Sequence, residues 1–175
     1  FVVDGLIFPD RKPSPGLIEY KKIIEPVKVK SVDLLSGKVK ITNRYDFIGL
    51  DHLQMAWNVM ADGNLLQNGT MHMEPIKAGE SKVITIPYSI PNKPMPATDY
   101  WLNIRFVLAY DTLWAKQGHE IAWAQFKLPV DAPAALPITI DSIPPLECRD
   151  AGALLKIIGT DFKFNFDKVN GAIHS

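Results

Sequence analysis

One cysteine, Cys148, is all that 175 residues provide, so no internal disulfide framework can staple the chain. Long apolar runs are missing too, and none approaches the roughly 20 residues a membrane-spanning helix needs. There is no excess charge of either sign. Nineteen basic residues balance nineteen acidic ones, and a formal net charge of zero creates no whole-chain field to attract nucleic acid or an anionic membrane. The densest basic cluster, Lys21-Lys22 with Lys28 and Lys30 nearby, reads as a solvated strand face. No GxSxG, HExxH, CxxC, P-loop or GxGxxG occurs. The four histidines, His52, His72, His119 and His174, share no metal-ligand spacing, and His72, set between Met71 and Met73, is expected to face solvent. Acid–base hydrolysis of a glycoside needs two carboxylates facing each other across a cleft, roughly 5–10 Å apart. Asp4, Asp10 and Glu19 lie in linker-like sequence, Asp150, Asp161 and Asp167 lie at turns, and Glu120 merely begins a strand. Catalysis by this chain alone is not expected.

What is present is alternation. In Leu53 to Ala61, residues Leu53, Met55, Trp57, Val59 and Ala61 share one face at strict period two, and Gln54, Ala56, Asn58 and Met60 share the other. That is the pattern of a β-strand with one buried face, and Trp57 at its middle offers a centre for a second sheet to pack on. Asp62-Gly63-Asn64 turns the chain into a strand from Leu65 to Met73. Further strands are read at Ile24 to Val32, interrupted near Pro26, at Lys38 to Tyr45, and at Lys82 to Tyr88. Tyr100 to Tyr110 carries Leu102, Ile104, Phe106, Leu108 and Tyr110 on one face, and His119 to Val130 carries Ala122, Ala124, Phe126 and Leu128. About seven short strands and no helix of useful length specify an all-β, immunoglobulin-like antiparallel β-sandwich over residues 23–130.

The flanks have a different texture. Residues 1–22 hold Pro9, Pro13 and Pro15 in one loop, then room for a single helical turn over Gly16 to Lys22. Residues 131–145 are a Pro/Ala-rich linker, and residues 146–175 read as a hairpin, Leu154 to Ile158 with Phe162 to Phe166, followed by Ala172 to Ser175. So few strands cannot bury their faces alone, and they are expected to begin a further β domain. The chain opens on Phe-Val-Val with no charged n-region, so a piece of a larger protein is expected. Two further readings stay open: a carbohydrate-binding module stacking sugars on the outward Trp101, Trp114 and Trp123, and an adaptor that adds a partner's strand to an exposed edge.

Three stretches together carry a family resemblance. Phe1 to Arg11 with Pro13 to Lys21 resembles the segment that leaves the catalytic barrel of the large multidomain β-galactosidases of glycoside hydrolase family 2. Ala115 to Leu128 resembles the last strand of that family's second immunoglobulin-like domain, and Phe162 to Gly171 resembles the start of its C-terminal β-sandwich. The resemblance implies a fourth-domain fragment whose parent cleaves terminal β-galactosides such as lactose with two glutamates that lie outside this chain. It implies neighbouring domains of the same parent as partners, with a homo-oligomer of that parent, and magnesium and sodium as the parent's ions. Half of the family's sodium site would fall on Phe1, through a backbone carbonyl, and on Asp4, where the family has asparagine. No cofactor is expected in the fragment.

Overall fold

A computed structural model describes residues 5–135 and 137–174. The chain divides into two compact units, one running through Ala134 and the other beginning at Ala135.

The first unit is a two-layered antiparallel sandwich. Its strands are β1 (Val27–Asp33), β2 (Lys38–Asn43), β3 (Leu53–Ala61), β4 (Asn64–His72), β5 (Ser81–Thr85), β6 (Tyr100–Leu108) and β7 (Glu120–Lys127). One sheet runs in the order β1-β2-β5 and the other β4-β3-β6-β7. The chain therefore changes sheet between β2 and β3, returns between β4 and β5, and crosses again before β6. Period-two patterning decides which faces meet. Val39 and Ile41 of β2 are fully buried, as are alternate residues of β3 and of β6 from Leu102 to Leu108. Trp57 is 7% exposed. Its indole lies over Gly69 of the neighbouring edge strand β4, the residue directly across from it in register, and meets the Tyr88 ring at 6.3 Å between centroids.

Two polar groups are part of this core. Asn43 is completely buried, donates from Nδ2 to Ile48 O at 2.8 Å and Ile76 O at 2.9 Å, and accepts from Tyr45 N at 2.9 Å. It ties together the backbones of two connecting loops, and Ile76 O also accepts from Leu50 N at 3.2 Å. The Tyr88 hydroxyl donates to Leu34 O, and burial, with the Asp33 charge second, pushes its pKa up to about 12.

Three features of this unit depart from the sequence reading. A ten-residue helix, α1 (Pro15–Ile24), stands where a single turn was expected. Ser14 caps it through Leu17 N, Pro15 occupies its first turn, and Pro26 forces Glu25 into an extended conformation that stops it. Lys21 and Lys22 therefore lie on a helix and not on a solvated strand face. Their ammonium groups donate to the backbone carbonyls of Glu120 and Trp123 on β7. Tyr110, expected on the inner face of β6, is 55% exposed, because the strand ends at Leu108 and Ala109 turns its N–H to His52 O at 3.0 Å.

The second unit contains a short 3₁₀ turn (Ile140–Ser142) and a four-stranded antiparallel sheet in the order β11-β10-β9-β8. The strands are β8 (Glu147–Ala151), β9 (Leu154–Ile158), β10 (Lys163–Asp167) and β11 (Ala172–His174). Strand β8 was not foreseen. Every residue of Glu-Cys-Arg-Asp-Ala is exposed, so it has no apolar alternation to reveal it. The register sets Leu155 beside Phe166 and Ile157 beside Phe164, which gives this small sheet one apolar face.

Candidate functional site

Strand register places the outward side chains of the larger sheet in rows. Asn68, Asn58, Asn103 and Gln125 form one row across β4, β3, β6 and β7. Gln125 Nε2 donates to Asn103 Oδ1 at 2.8 Å, and Asn103 Nδ2 donates to Asn58 Oδ1 at 2.8 Å, so the amides form a chain. The next row is Thr70, Ala56, Arg105 and Trp123. Arg105 Nε donates to Glu120 Oε2 at 2.6 Å, which uses the carboxylate at the start of β7 as an ion-pair partner. Two adjoining depressions of about 350 and 370 Å³ follow these rows.

The three outward tryptophans are not brought together. Trp101 and Trp123 share the outer face, but Trp123 pairs with Arg105, four residues along β6 from Trp101, about 13 Å at ordinary strand rise. Trp114 is 65% exposed on the β6–β7 loop, edge-on to His119 at 5.3 Å. Trp123 is 44% exposed, and Lys22 Nζ sits 4.1 Å above its ring centroid. Phe1 and Asp4, the expected half of a sodium site, lie outside the described residues.

Between α1 and β7 runs an apolar groove of about 600 Å³ bordered by Leu17, Ile24, Ile121 and Trp123. Glu25 holds its end closed. Its carboxylate is 4% exposed, accepts from Lys22 at 2.7 Å and Lys28 at 3.2 Å through Oε1, and faces Trp123 N at 3.4 Å through Oε2. Together Lys22 and Glu25 engage both backbone groups of Trp123 on the outer edge of β7. At Trp123 the edge of β7 is therefore not free to add a strand. On the opposite edge strand, β4, the side-chain amide of Gln67 exchanges hydrogen bonds with the backbone N–H and C=O of Ser89. Sequence reasoning missed Glu25; its only signal was an acidic residue wedged between a helical run and Pro26.

At one end of the sandwich the β2–β3 and β6–β7 loops are joined at their bases by the Ala109–His52 bond. They display Phe47, Ile48, Tyr110, Leu113 and Trp114, with Phe47 95% exposed. Asp111 Oδ1 and Oδ2 accept from Gln117 N and Lys116 Nζ, which lowers its pKa, so a carboxylate here serves loop structure. Among the described residues, no three His, Cys, Asp or Glu side chains are grouped as a metal site would need.

A family profile described as beta-galactosidase, domain 4, matches residues 39–129, from β2 to just past β7. The chain is 32% identical over 171 residues to a beta-galactosidase of Priestia megaterium, covering 98% of this chain and 16% of the relative. It is 31% identical over 175 residues to that of Kluyveromyces lactis, covering all of this chain and 15% of the relative. With the beta-galactosidase of Pectobacterium atrosepticum it shares 27% over 176 residues, 99% of this chain and 16% of the relative. The chain thus spans about one sixth of the length of the curated relatives it matches, and it belongs to the family of beta-galactosidase domain 4.

Proposed function

We propose that this chain is a non-catalytic structural domain of a β-galactosidase, one that holds neighbouring domains of its parent in fixed relative positions. The observation that carries this reading is the apolar end of the sandwich. Phe47, Ile48, Tyr110, Leu113 and Trp114 stand out from two loops whose bases are tied together, and a cluster of that kind marks a surface that another body covers. The carboxylates support it as well. Glu25, Asp99, Asp111 and Glu120 are engaged by lysines or arginine, which leaves them to structural work.

On this proposal the parent hydrolyses terminal β-D-galactosides such as lactose by a retaining double displacement, with both carboxylates on another domain. Sodium and magnesium belong to that parent, and Phe1 with Asp4 would lend sodium a carbonyl and a carboxylate, both hard oxygen donors. A homo-oligomer of the parent is part of the same proposal.

The test compares Phe47→Ser with Leu113→Ser in two settings. In the 175-residue chain both side chains already face water, so thermal stability stays within about 0.5 kcal/mol of the starting protein. In the full-length parent the same changes lower the melting temperature and the hydrolysis of a chromogenic β-galactoside after heating. Equal stability in both settings removes the packing role. Turnover of that galactoside by the 175-residue chain alone overturns the non-catalytic assignment.

A further inference from the structure

The outer face of the β4-β3-β6-β7 sheet has a composition the spacer role does not call for. A strand face that only needs to be wet is well served by lysine, glutamate and threonine. Here one complete row, four strands wide, is built from primary amides, Asn68, Asn58, Asn103 and Gln125. The two internal hydrogen bonds use Gln125 Nε2, Asn103 Oδ1, Asn103 Nδ2 and Asn58 Oδ1. Among the described residues, Gln125 Oε1 and Asn58 Nδ2 remain without a partner, an acceptor at one end of the chain and a donor pair toward the other.

Beside the amides, Ala56 supplies a low point in the sheet surface, and Arg105 rises next to it with its charge matched by Glu120. The two depressions that meet along this line amount to about 350 and 370 Å³, each within the size range of small-molecule clefts. Trp123 borders the second of them. Lys22 lies over one face of its ring, and Trp123 is still 44% exposed.

We propose that this trough is a binding site for a neutral carbohydrate, with one pyranose stacked on Trp123 and the hydroxyls of its neighbour bridging the amide row. The chemistry selects that class. Vicinal hydroxyls are paired donors and acceptors, and planar amides present the same pairing, whereas a phosphate or carboxylate ligand would need an unpaired cation and Arg105 already has its carboxylate. An apolar ligand would strand the amide dipoles. Indole stacks on the flat apolar face of a sugar ring, and the spacing between Trp101 and Trp123 excludes a single ring touching both. The site is independent of the packing end of the sandwich, so the two proposals stand or fall separately.

The experiment is a two-dimensional ¹H–¹⁵N titration of the 175-residue chain with lactose, repeated with cellobiose, watching the side-chain NH₂ pairs and the indole N–H signals. The expected result is saturable movement of the Asn58, Asn103 and Gln125 amide pairs and of the Trp123 indole, with a Kd on the order of 1 mM as suits an open trough. Trp123→Ala and Gln125→Ala, both at exposed positions, each weaken binding about tenfold, the loss of one good contact. Two outcomes overturn the proposal: amide signals that do not move at 100-fold excess sugar, and movement that survives both substitutions or falls instead on the groove under α1.

Discussion

Gly69→Ala tests whether Trp57 is the packing centre of the sandwich. A Cβ at position 69 would stand 2.7 Å from Cζ2, 2.8 Å from Cε2 and 2.9 Å from Nε1 of the Trp57 indole. Carbon atoms rest about 3.5–4.0 Å apart, so the ring must retreat by roughly 1 Å. Behind it lie the fully buried Ile104 and the Tyr88 ring, in an interior with little room to give. Overpacking of this kind costs about 1–3 kcal/mol, and alanine in a strand returns about 0.5–1 kcal/mol relative to glycine. The net expectation is a loss of about 1–2 kcal/mol, read from urea unfolding followed by far-UV circular dichroism, which the other three tryptophans do not complicate. The decisive comparison is made in a Trp57→Leu background. With the ring gone, the alanine methyl has space, and the same substitution stabilises by about 0.5 kcal/mol. The two sites are therefore coupled by roughly 2 kcal/mol. A coupling under about 0.5 kcal/mol would refute the close packing of ring on glycine.

Glu25→Ala removes the carboxylate that Lys22, Lys28 and Trp123 N share, and costs about 2–3 kcal/mol, since hydrogen bonds to charged groups are the stronger kind. Amide hydrogen exchange rises throughout α1 and at Trp123 in this variant; unchanged protection of the helix contradicts the clamp. Asn43→Leu fits apolar surroundings by shape yet leaves Ile48 O without its donor and Tyr45 N without its acceptor, while Ile76 O keeps Leu50 N, so its urea midpoint falls by the equivalent of about 1–3 kcal/mol. A neutral outcome means that water replaces the amide. Tyr88→Phe tests the raised phenol pKa. A group held protonated by the fold stabilises below its ordinary pKa near 10 and loses that contribution as pH climbs toward about 12. The stability gap between the unsubstituted chain and Tyr88→Phe therefore shrinks across pH 10–12, and a gap that is flat or widening there counts against burial as the cause.

Much of the sandwich was legible because one physical rule wrote it. Leu53 to Ala61 and Tyr100 to Leu108 alternate without interruption, and a period-two pattern has only one way to put its apolar set inside. Where the rule lapsed, so did the reading. β8 carries no buried residue, and its existence depends on pairing with β9, which is invisible in Glu-Cys-Arg-Asp-Ala. Asn43 sits at an inward position of β2 as a polar residue, and its partners Ile48 O and Ile76 O are main-chain atoms that no side-chain pattern encodes. The outward tryptophans were visible one by one, but their separation is a property of register. Trp101 faces Lys127 and Trp123 faces Arg105, a pairing that strand-by-strand patterning cannot locate.

The helix α1 carries the point furthest. The family match begins at residue 39, yet α1, which ends at Ile24, supplies the lysines that take up two carbonyls of edge strand β7, and Glu25 behind it faces Trp123 N. An unpaired strand edge invites pairing with another chain, and charged side chains laid along it are the usual means of preventing that. The segment ahead of the sandwich is thus part of what keeps the sandwich a discrete body. If so, removing residues 1–24 does more than shorten the chain. It bares the Glu120 and Trp123 carbonyls and the apolar residues Ile121 and Trp123 beside them, and the truncated protein self-associates at concentrations where the intact chain is monomeric. Sedimentation velocity on the two proteins separates the cases, and a truncated form as monomeric and as stable as the original would reduce α1 to a passive connector.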